Sequence, residues 1–82
     1  MIWFVYIVRC ADNTLYTGIT TDITRRVREH NGEIGTGARY TLSKRPVTLV
    51  YSKKMKSRSA ALIYEAKIKK LSRDEKNAML TV

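Results

Sequence analysis

The sequence predicts a small α/β domain, a three-stranded sheet flanked by helices in the order ββαβαα. Two apolar segments rich in β-branched and aromatic residues are separated by a short polar turn, which is typical of a β-hairpin. Two longer segments repeat apolar residues at helical spacing behind a capping residue. A chain of 82 residues leaves little room for a second core, so we expect a single domain over residues 1–82.

Three strands follow from these patterns. The first covers Ile2–Arg9 and is apolar on both faces, so it should be a central, buried strand. The polar turn "ADNT" separates it from a second strand over Leu15–Thr20. A third strand is predicted over Val47–Lys53, directly after Pro46.

The length of the hairpin loop decides whether Tyr6 and Tyr16 lie on the same face of the sheet. A two-residue loop at Asp12 and Asn13 would put them on opposite faces. A three-residue loop over Asp12–Thr14 would instead align them. We therefore predict an odd-length loop or a β-bulge.

The second strand, "LYTGIT", contains a glycine at its centre, where glycine weakens a strand. We expect the missing side chain of Gly18 to let a phosphate or the following helix approach closely. The alternative is a bulge or tight packing. Open space beside Tyr6 would favour a binding site, and filled space would favour packing.

Three helices are predicted from their capping residues. The first runs to about Asn31, where the glycines of "NGEIGTGA" break it. The second covers Arg58–Leu71, and a third, short helix follows. Their caps are Thr21 or Asp22, then Ser57, then Ser72, which begins an S-x-x-E capping box.

Helical spacing sorts the side chains of the first helix. Ile23, Val27 and His30 form an apolar stripe that Arg26 flanks, one turn before His30. Arg26 and His30 are therefore expected at the edge of the packed face. An ordinary surface arginine and a hydrogen-bonded structural histidine are the alternatives to a functional role.

Helical spacing predicts an apolar seam along the second helix, formed by Ala61, Tyr64, Ile68 and Leu71. Glu65 borders this seam and is the only acid between Glu33 and Asp74. Such a carboxylate can form a salt bridge with an arginine. It can also hold a divalent cation, because ions that bind phosphates often use one or two carboxylates plus waters.

Charge is the strongest compositional signal. Sixteen Lys and Arg residues against seven Asp and Glu residues give a formal net charge of +9. Such a charge favours a polyanionic partner, and nucleic acid is the first candidate. An anionic membrane or an acidic protein is a weaker candidate. The predicted nucleic-acid contacts are Arg39, Lys44, Arg45, Lys53, Lys54, Lys56, Arg58 and Lys69.

Several classes are excluded. The glycines match no P-loop, and one cysteine with one histidine cannot build a structural zinc site or an internal disulfide. The longest apolar run, Ile2–Val8, is far shorter than the roughly 20 residues of a membrane span and has no signal-peptide pattern. We expect a cytoplasmic protein with no membrane partner.

The remaining polar set, Tyr6, Tyr16, Arg26, His30 and Glu65, suits phosphodiester hydrolysis. Arginine offers a fixed fork to phosphate oxygens, and a metal on a carboxylate would polarise the phosphoryl group. A phenolate or an imidazole could take a proton from the attacking water, an effect worth roughly 10²–10⁴-fold. A tyrosine base would need nearby cations or metal to lower its pKa, and this basic chain is expected to supply them.

The segments "FVYIV", "LYTGIT" and "RRVREH", followed by Glu65, resemble the GIY-YIG nuclease superfamily. More closely, the chain is similar to the small stand-alone proteins of the UPF0213 (YhbQ-like) group. The resemblance covers nearly the whole chain and includes Gly18 of the second motif. Phe4 and Val5 stand where the first motif has glycine and isoleucine, and Thr17 occupies the middle of the second.

The resemblance implies a role for each matching residue. Tyr6 would be a general-base candidate, and Tyr16 would lie near the scissile phosphate. Arg26 would stabilise transition-state charge, and His30 would assist proton transfer or phosphate binding. Glu65 would hold one Mg²⁺ or Mn²⁺.

These inferences together predict a metal-dependent, nuclease-like protein that cuts nucleic acid, with DNA favoured over RNA, in repair or processing. A homodimer or a protein partner could supply specificity. One alternative is a nucleic-acid-binding module that cuts nothing. The other is a basic interaction domain that docks an acidic protein.

Overall fold

The computed structural model describes residues 1–35 and 41–80, and its elements follow the predicted order ββαβαα. Most predicted boundaries agree within two residues. The third strand extends two residues further than predicted, and the second helix ends two residues earlier. The strands are β1 (Trp3–Arg9), β2 (Leu15–Thr20) and β3 (Thr48–Met55); the helices are α1 (Ile23–His30), α2 (Arg58–Lys69) and α3 (Arg73–Leu80).

The sheet is antiparallel with strand order β2-β1-β3, so the apolar β1 is the central strand, as predicted. Alternate residues of β1 enter two separate cores. Tyr6 and Val8 pack on the face that carries Val27 of α1. Val5 and Ile7 pack on the other face, against α2 and α3.

The hairpin between β1 and β2 has an odd-length loop, which confirms the prediction. Three residues, Ala11–Asn13, lie between Cys10 and Thr14, and the Cys10 N–H donates to the Thr14 carbonyl at 2.8 Å. Asn13 adopts a φ of 70°, a left-handed conformation that asparagine tolerates.

This loop aligns the two tyrosines. Tyr6 lies opposite Gly18 and Val8 lies opposite Tyr16, so both phenols leave the sheet on the same face. The register is displaced by two residues from one that pairs Cys10 with Tyr16. A displacement of two keeps every side chain on its face.

The helices begin at the predicted caps. Asp22 rather than Thr21 caps α1, its carboxylate accepting from the Arg25 N–H at 3.0 Å, and Ser57 caps α2. Before α3, Ser72 and Glu75 exchange hydrogen bonds as a capping box requires. No helix in the described part of the chain is long and apolar enough to cross a membrane.

Candidate active site

The site is built around the hydroxyl of Tyr6. This oxygen lies 2.8 Å from Nε2 of His30, at the C-terminal end of α1. The Tyr16 ring from β2 meets the His30 ring edge-on, with 5.2 Å between centroids. Two strands and one helix therefore bring both tyrosines and the histidine together.

Glu65 lies on α2, whose buried residues pack with Val5 and Ile7 on the other face of the sheet from Tyr6. Burial, with smaller contributions from Tyr16 and Glu65, raises the pKa of Tyr6 to about 12 against the opposing effect of the Arg26 guanidinium. The expectation that cations would lower a tyrosine pKa is therefore wrong for Tyr6. Its side chain is only 1% exposed, and the loss of hydration outweighs Arg26, so Tyr6 is a neutral phenol near pH 7.

His30 was expected at the edge of the packed face, but the structure buries it completely. Burial, together with the charges of Arg26 and Arg45 and against the opposing charge of Glu29, lowers the pKa of His30 to about 4. The imidazole is therefore neutral at physiological pH.

A neutral buried histidine predicts acid-sensitive stability. The pKa of His30 is about 4 when folded and near 6.5 when unfolded, so between these values only the unfolded chain takes up the proton. The free energy of unfolding should therefore fall by about 2 kcal/mol between pH 7 and pH 4.5. Urea unfolding at both pH values measures this. The free energy of unfolding of the His30→Gln variant should change much less between the two pH values. An equal decrease in both proteins would contradict the assignment.

Gly18 makes room for Tyr6 rather than for a phosphate or for α1. A Cβ atom at this position would lie 2.6 Å from the Tyr6 hydroxyl oxygen and 2.8 Å from its Cζ. Both distances are shorter than any real contact of a Cβ atom. The space beside the glycine is therefore filled by the ring, which supports the packing alternative.

This contact predicts a coupling between the two residues. Gly18→Ala should destabilise the chain by about 1–3 kcal/mol, because the Tyr6 ring is buried and bound to His30 and cannot move aside freely. Urea unfolding gives the cost. In a Tyr6→Leu background, which lacks the ring tip, the same substitution should cost clearly less. Equal costs in both backgrounds would contradict the assignment.

Arg26 is held at the rim of this cluster. Its side chain is 26% exposed, and Nη1 donates to Oε1 of Glu29 at 3.0 Å. Arg25, on the same helix, is 53% exposed and lies 3.9 Å from the same carboxylate. The two arginines therefore share one acid, but only Arg26 also acts on Tyr6.

Glu65 has a partner in the structure, a lysine rather than an arginine. Its carboxylate lies 3.4 Å from Nζ of Lys69, and its side chain is 17% exposed. No group of three or more His, Cys, Asp or Glu side chains within residues 1–35 and 41–80 could hold a metal ion. A cation bound here would therefore rely on Glu65 together with water or phosphate oxygens.

The sequence did not reveal the residues that hold the end of α1. Thr41 Oγ1 lies 2.7 Å from Nδ1 of His30, and the Arg45 Nε donates to the His30 carbonyl at 2.6 Å. The Asn31 side chain exchanges two hydrogen bonds with the backbone of Val47. These contacts join residues 11 to 16 positions apart in the sequence, a separation that no periodic pattern signals.

Alternation along β3 separates two of the predicted nucleic-acid contacts. Lys54 lies opposite Phe4, on the Tyr6 face, whereas Lys53 lies opposite Val5, on the α2 face. Lys53 is close to the Tyr64 ring, with its Nζ 5.1 Å from the ring centroid.

The other predicted contacts occupy varied settings, and their binding role stays a prediction. Lys44 forms an ion pair with Asp12, and the Arg58 guanidinium lies 5.8 Å from the centre of the Trp3 ring. Lys56 lines a surface groove together with Lys54. Arg39 lies outside the described residues.

Comparison with known proteins decides the family. The family model for the GIY-YIG catalytic domain matches residues 2–78. This chain belongs to the GIY-YIG family. A UPF0213 protein of Desulfotalea psychrophila is 56% identical over 95% of this chain and 70% of its own length. A second, from Haloquadratum walsbyi, is 51% identical over 93% of this chain and 83% of its own length.

Solved structures agree with this assignment. The solution structure of a UPF0213 protein from Bacillus halodurans has a TM-score of 0.63 and 38% identity, and the match covers 99% of this chain and 84% of that one. A protein from E. faecalis gives the same TM-score with 39% identity, over 99% of this chain and 85% of that one.

Exposure divides the polar groups of this GIY-YIG domain in two. Tyr6 and His30 are buried, so bulk water does not reach them directly. Tyr16, Arg26 and Glu65 are partly exposed, and Tyr16 packs against His30. A ligand would therefore meet the second group first, while the first group supports it from within.

Proposed function

We propose that this protein is a metal-dependent nuclease that hydrolyses phosphodiester bonds in DNA repair or processing. DNA is the favoured substrate over RNA. Membership of the GIY-YIG family supports the reaction class. The observation that carries the proposal is the buried hydrogen bond between the Tyr6 hydroxyl and His30, with Tyr16 packed against the same imidazole. DNA is preferred on the family resemblance alone.

Arg26 is the group proposed to bind the scissile phosphate. A guanidinium offers a planar fork of N–H donors and stays charged at every relevant pH. Its ion pair with Glu29 holds this fork in place, and its partial exposure leaves it accessible. Fixed donors aimed at developing charge stabilise a transition state without reorganising.

Tyr16 is the phenol proposed to contact the phosphate or the attacking water. Its ring is partly exposed and packs edge-on against His30. Tyr6 and His30 would act from behind it as a buried hydrogen-bonded pair. In this arrangement the buried pair orients the accessible groups.

Glu65 is the residue proposed to hold one Mg²⁺ or Mn²⁺. A single carboxylate fits such an ion, which keeps several waters and uses phosphate oxygens as further ligands. When bound, the ion would polarise the phosphoryl oxygen. When no ion is bound, Lys69 neutralises the Glu65 carboxylate. The Lys69 side chain is exposed, so it can move away from the carboxylate when an ion binds.

Nucleic-acid binding is proposed to depend on the charge of +9. Contacts to phosphates alone give affinity that is independent of sequence and falls steeply with salt. Any specificity would then come from nucleic-acid structure, a homodimer or a partner protein.

A cleavage assay tests the proposal. Supercoiled, branched and single-stranded DNA and RNA are incubated with Mg²⁺, Mn²⁺ or a chelator. The wild type is compared with a double variant, Arg26→Ala and Glu65→Ala, purified in the same way. Metal-dependent cutting by the wild type alone is expected. Equal cutting by both proteins would indicate a contaminant and reject the proposal.

The main alternative is a binding module that cuts nothing. The raised pKa of Tyr6 favours it, because a phenol with a pKa of about 12 is a poor base near pH 7. It predicts salt-sensitive binding by the wild type that needs no metal, with no cutting of any substrate.

A further inference from the structure

Three side chains from separate parts of the chain form a buried hydrogen-bonded row. The Tyr6 hydroxyl lies 2.8 Å from Nε2 of His30, and Thr41 Oγ1 lies 2.7 Å from Nδ1. Tyr6 is 1% exposed, and the other two are fully buried. Both ring nitrogens therefore have protein partners and neither depends on water.

The imidazole in this row is neutral, so it has one N–H and one lone pair. The groups that face it are Tyr6 from β1, Tyr16 from β2, Arg26 and Glu29 from α1, and Arg45 from the segment after residue 41. Burial and the two arginines keep the pKa of His30 at about 4. The open question is which nitrogen carries the proton.

The two hydroxyls on the ring differ in chemistry. The Tyr6 hydroxyl lies on Nε2, and the Thr41 hydroxyl lies on Nδ1. A phenol is more acidic than an aliphatic alcohol, so it is the stronger hydrogen-bond donor and the weaker acceptor. The favoured arrangement therefore has the Tyr6 O–H donating to the Nε2 lone pair and the Nδ1–H donating to the Thr41 oxygen, so that both ring nitrogens are satisfied.

We propose that Thr41 is a positioning residue whose hydroxyl oxygen accepts the Nδ1–H of His30. It thereby holds the Nδ1-protonated tautomer, with the Nε2 lone pair on the Tyr6 hydroxyl. A threonine hydroxyl both donates and accepts, so Thr41 can take this role without losing its own donor capacity.

For catalysis, the inference rests on the proposed nuclease function. Nε2 accepts the Tyr6 hydrogen bond, and Thr41 would then hold the ring in the orientation that directs the Tyr6 hydroxyl. Thr41 touches no substrate, so its removal should lower the turnover rate rather than weaken binding of metal or nucleic acid.

Nitrogen NMR of the imidazole tests the tautomer directly, because the chain contains one histidine. In labelled wild-type protein at pH 7, Nδ1 should give a pyrrole-type shift and Nε2 a pyridine-type shift. A pyrrole-type Nε2 would overturn the proposal. This measurement uses the wild-type protein and does not depend on enzymatic activity.

Two variants test Thr41 itself. Thr41→Ser keeps the hydroxyl and should preserve the wild-type pattern. Thr41→Val keeps the shape, removes the acceptor and should shift the tautomer towards Nε2–H. An unchanged pattern in Thr41→Val would overturn the proposal.

Cleavage measurements distinguish a failure of the Thr41 proposal from a failure of the proposed nuclease function. If the protein cleaves, Thr41→Val should lower kcat by up to about 10²-fold, with Thr41→Ser close to wild type. Equal kcat in the wild type and Thr41→Val would overturn the catalytic part. Absence of cleavage by the wild type would reject the proposed function, while the NMR result would still decide the tautomer.

Discussion

Glu65→Gln is expected to lower metal-dependent cleavage by about 10³-fold or more, because an ion that polarises a phosphoryl oxygen lowers the activation barrier by several kcal/mol. The substitution keeps the shape of the side chain and removes its charge. Single-turnover cleavage measures the loss, and Mn²⁺ titration measures the affinity for the metal. Binding of nucleic acid without metal should be unchanged or slightly tighter, since the net charge becomes more positive.

Glu33→Gln is the matched control. Glu33 is an exposed acid whose carboxylate lies 3.7 Å from Arg28, so its loss makes the same change in net charge away from Tyr6. The ion pair of Glu65 with the exposed Lys69 should contribute little to stability, so both variants should unfold close to wild type. Wild-type cleavage by Glu65→Gln, with unchanged metal dependence, would refute the metal role.

Arg26→Ala should lower cleavage by about 10²–10³-fold, the loss typical of removing one preorganised donor from a transition state. Arg26→Lys should recover only part of the rate, because an ammonium lacks the planar fork. Cleavage at saturating substrate separates this effect from weaker binding.

Arg25→Ala provides the comparison within the same helix. Both arginines contact Glu29, but Arg25 is more exposed and does not act on Tyr6. Its loss should lower the cleavage rate only a few-fold, because it removes one positive charge that attracts nucleic acid without removing a contact at the site. Equal losses in the two variants would show that the charge of the helix matters and the position of Arg26 does not.

Periodicity predicted the faces of this fold correctly. The spacing of the helices assigned Val27 to the packed side of α1 and Ala61 and Ile68 to that of α2. The odd-length hairpin loop placed Tyr6 and Tyr16 on one face. These features depend on neighbours a few positions apart, which a sequence displays directly.

Electrostatic character was not predictable in the same way. The composition suggested that cations would lower the pKa of a tyrosine, yet burial raises the pKa of Tyr6 to about 12. His30 was expected at an edge and is completely buried, which keeps it neutral. A pKa depends on how much water surrounds a group, and packing across the whole domain determines that.

By itself, the sequence determined the order of elements, their packed faces, the helix caps and the excess of positive charge, because each follows from local spacing or composition. Only the tertiary structure decided that Gly18 accommodates the Tyr6 ring and that Thr41 and Arg45 hold the end of α1. These contacts join residues more than ten positions apart in the sequence. Their specificity comes from steric fit and hydrogen-bond geometry, which exist only once the chain has folded.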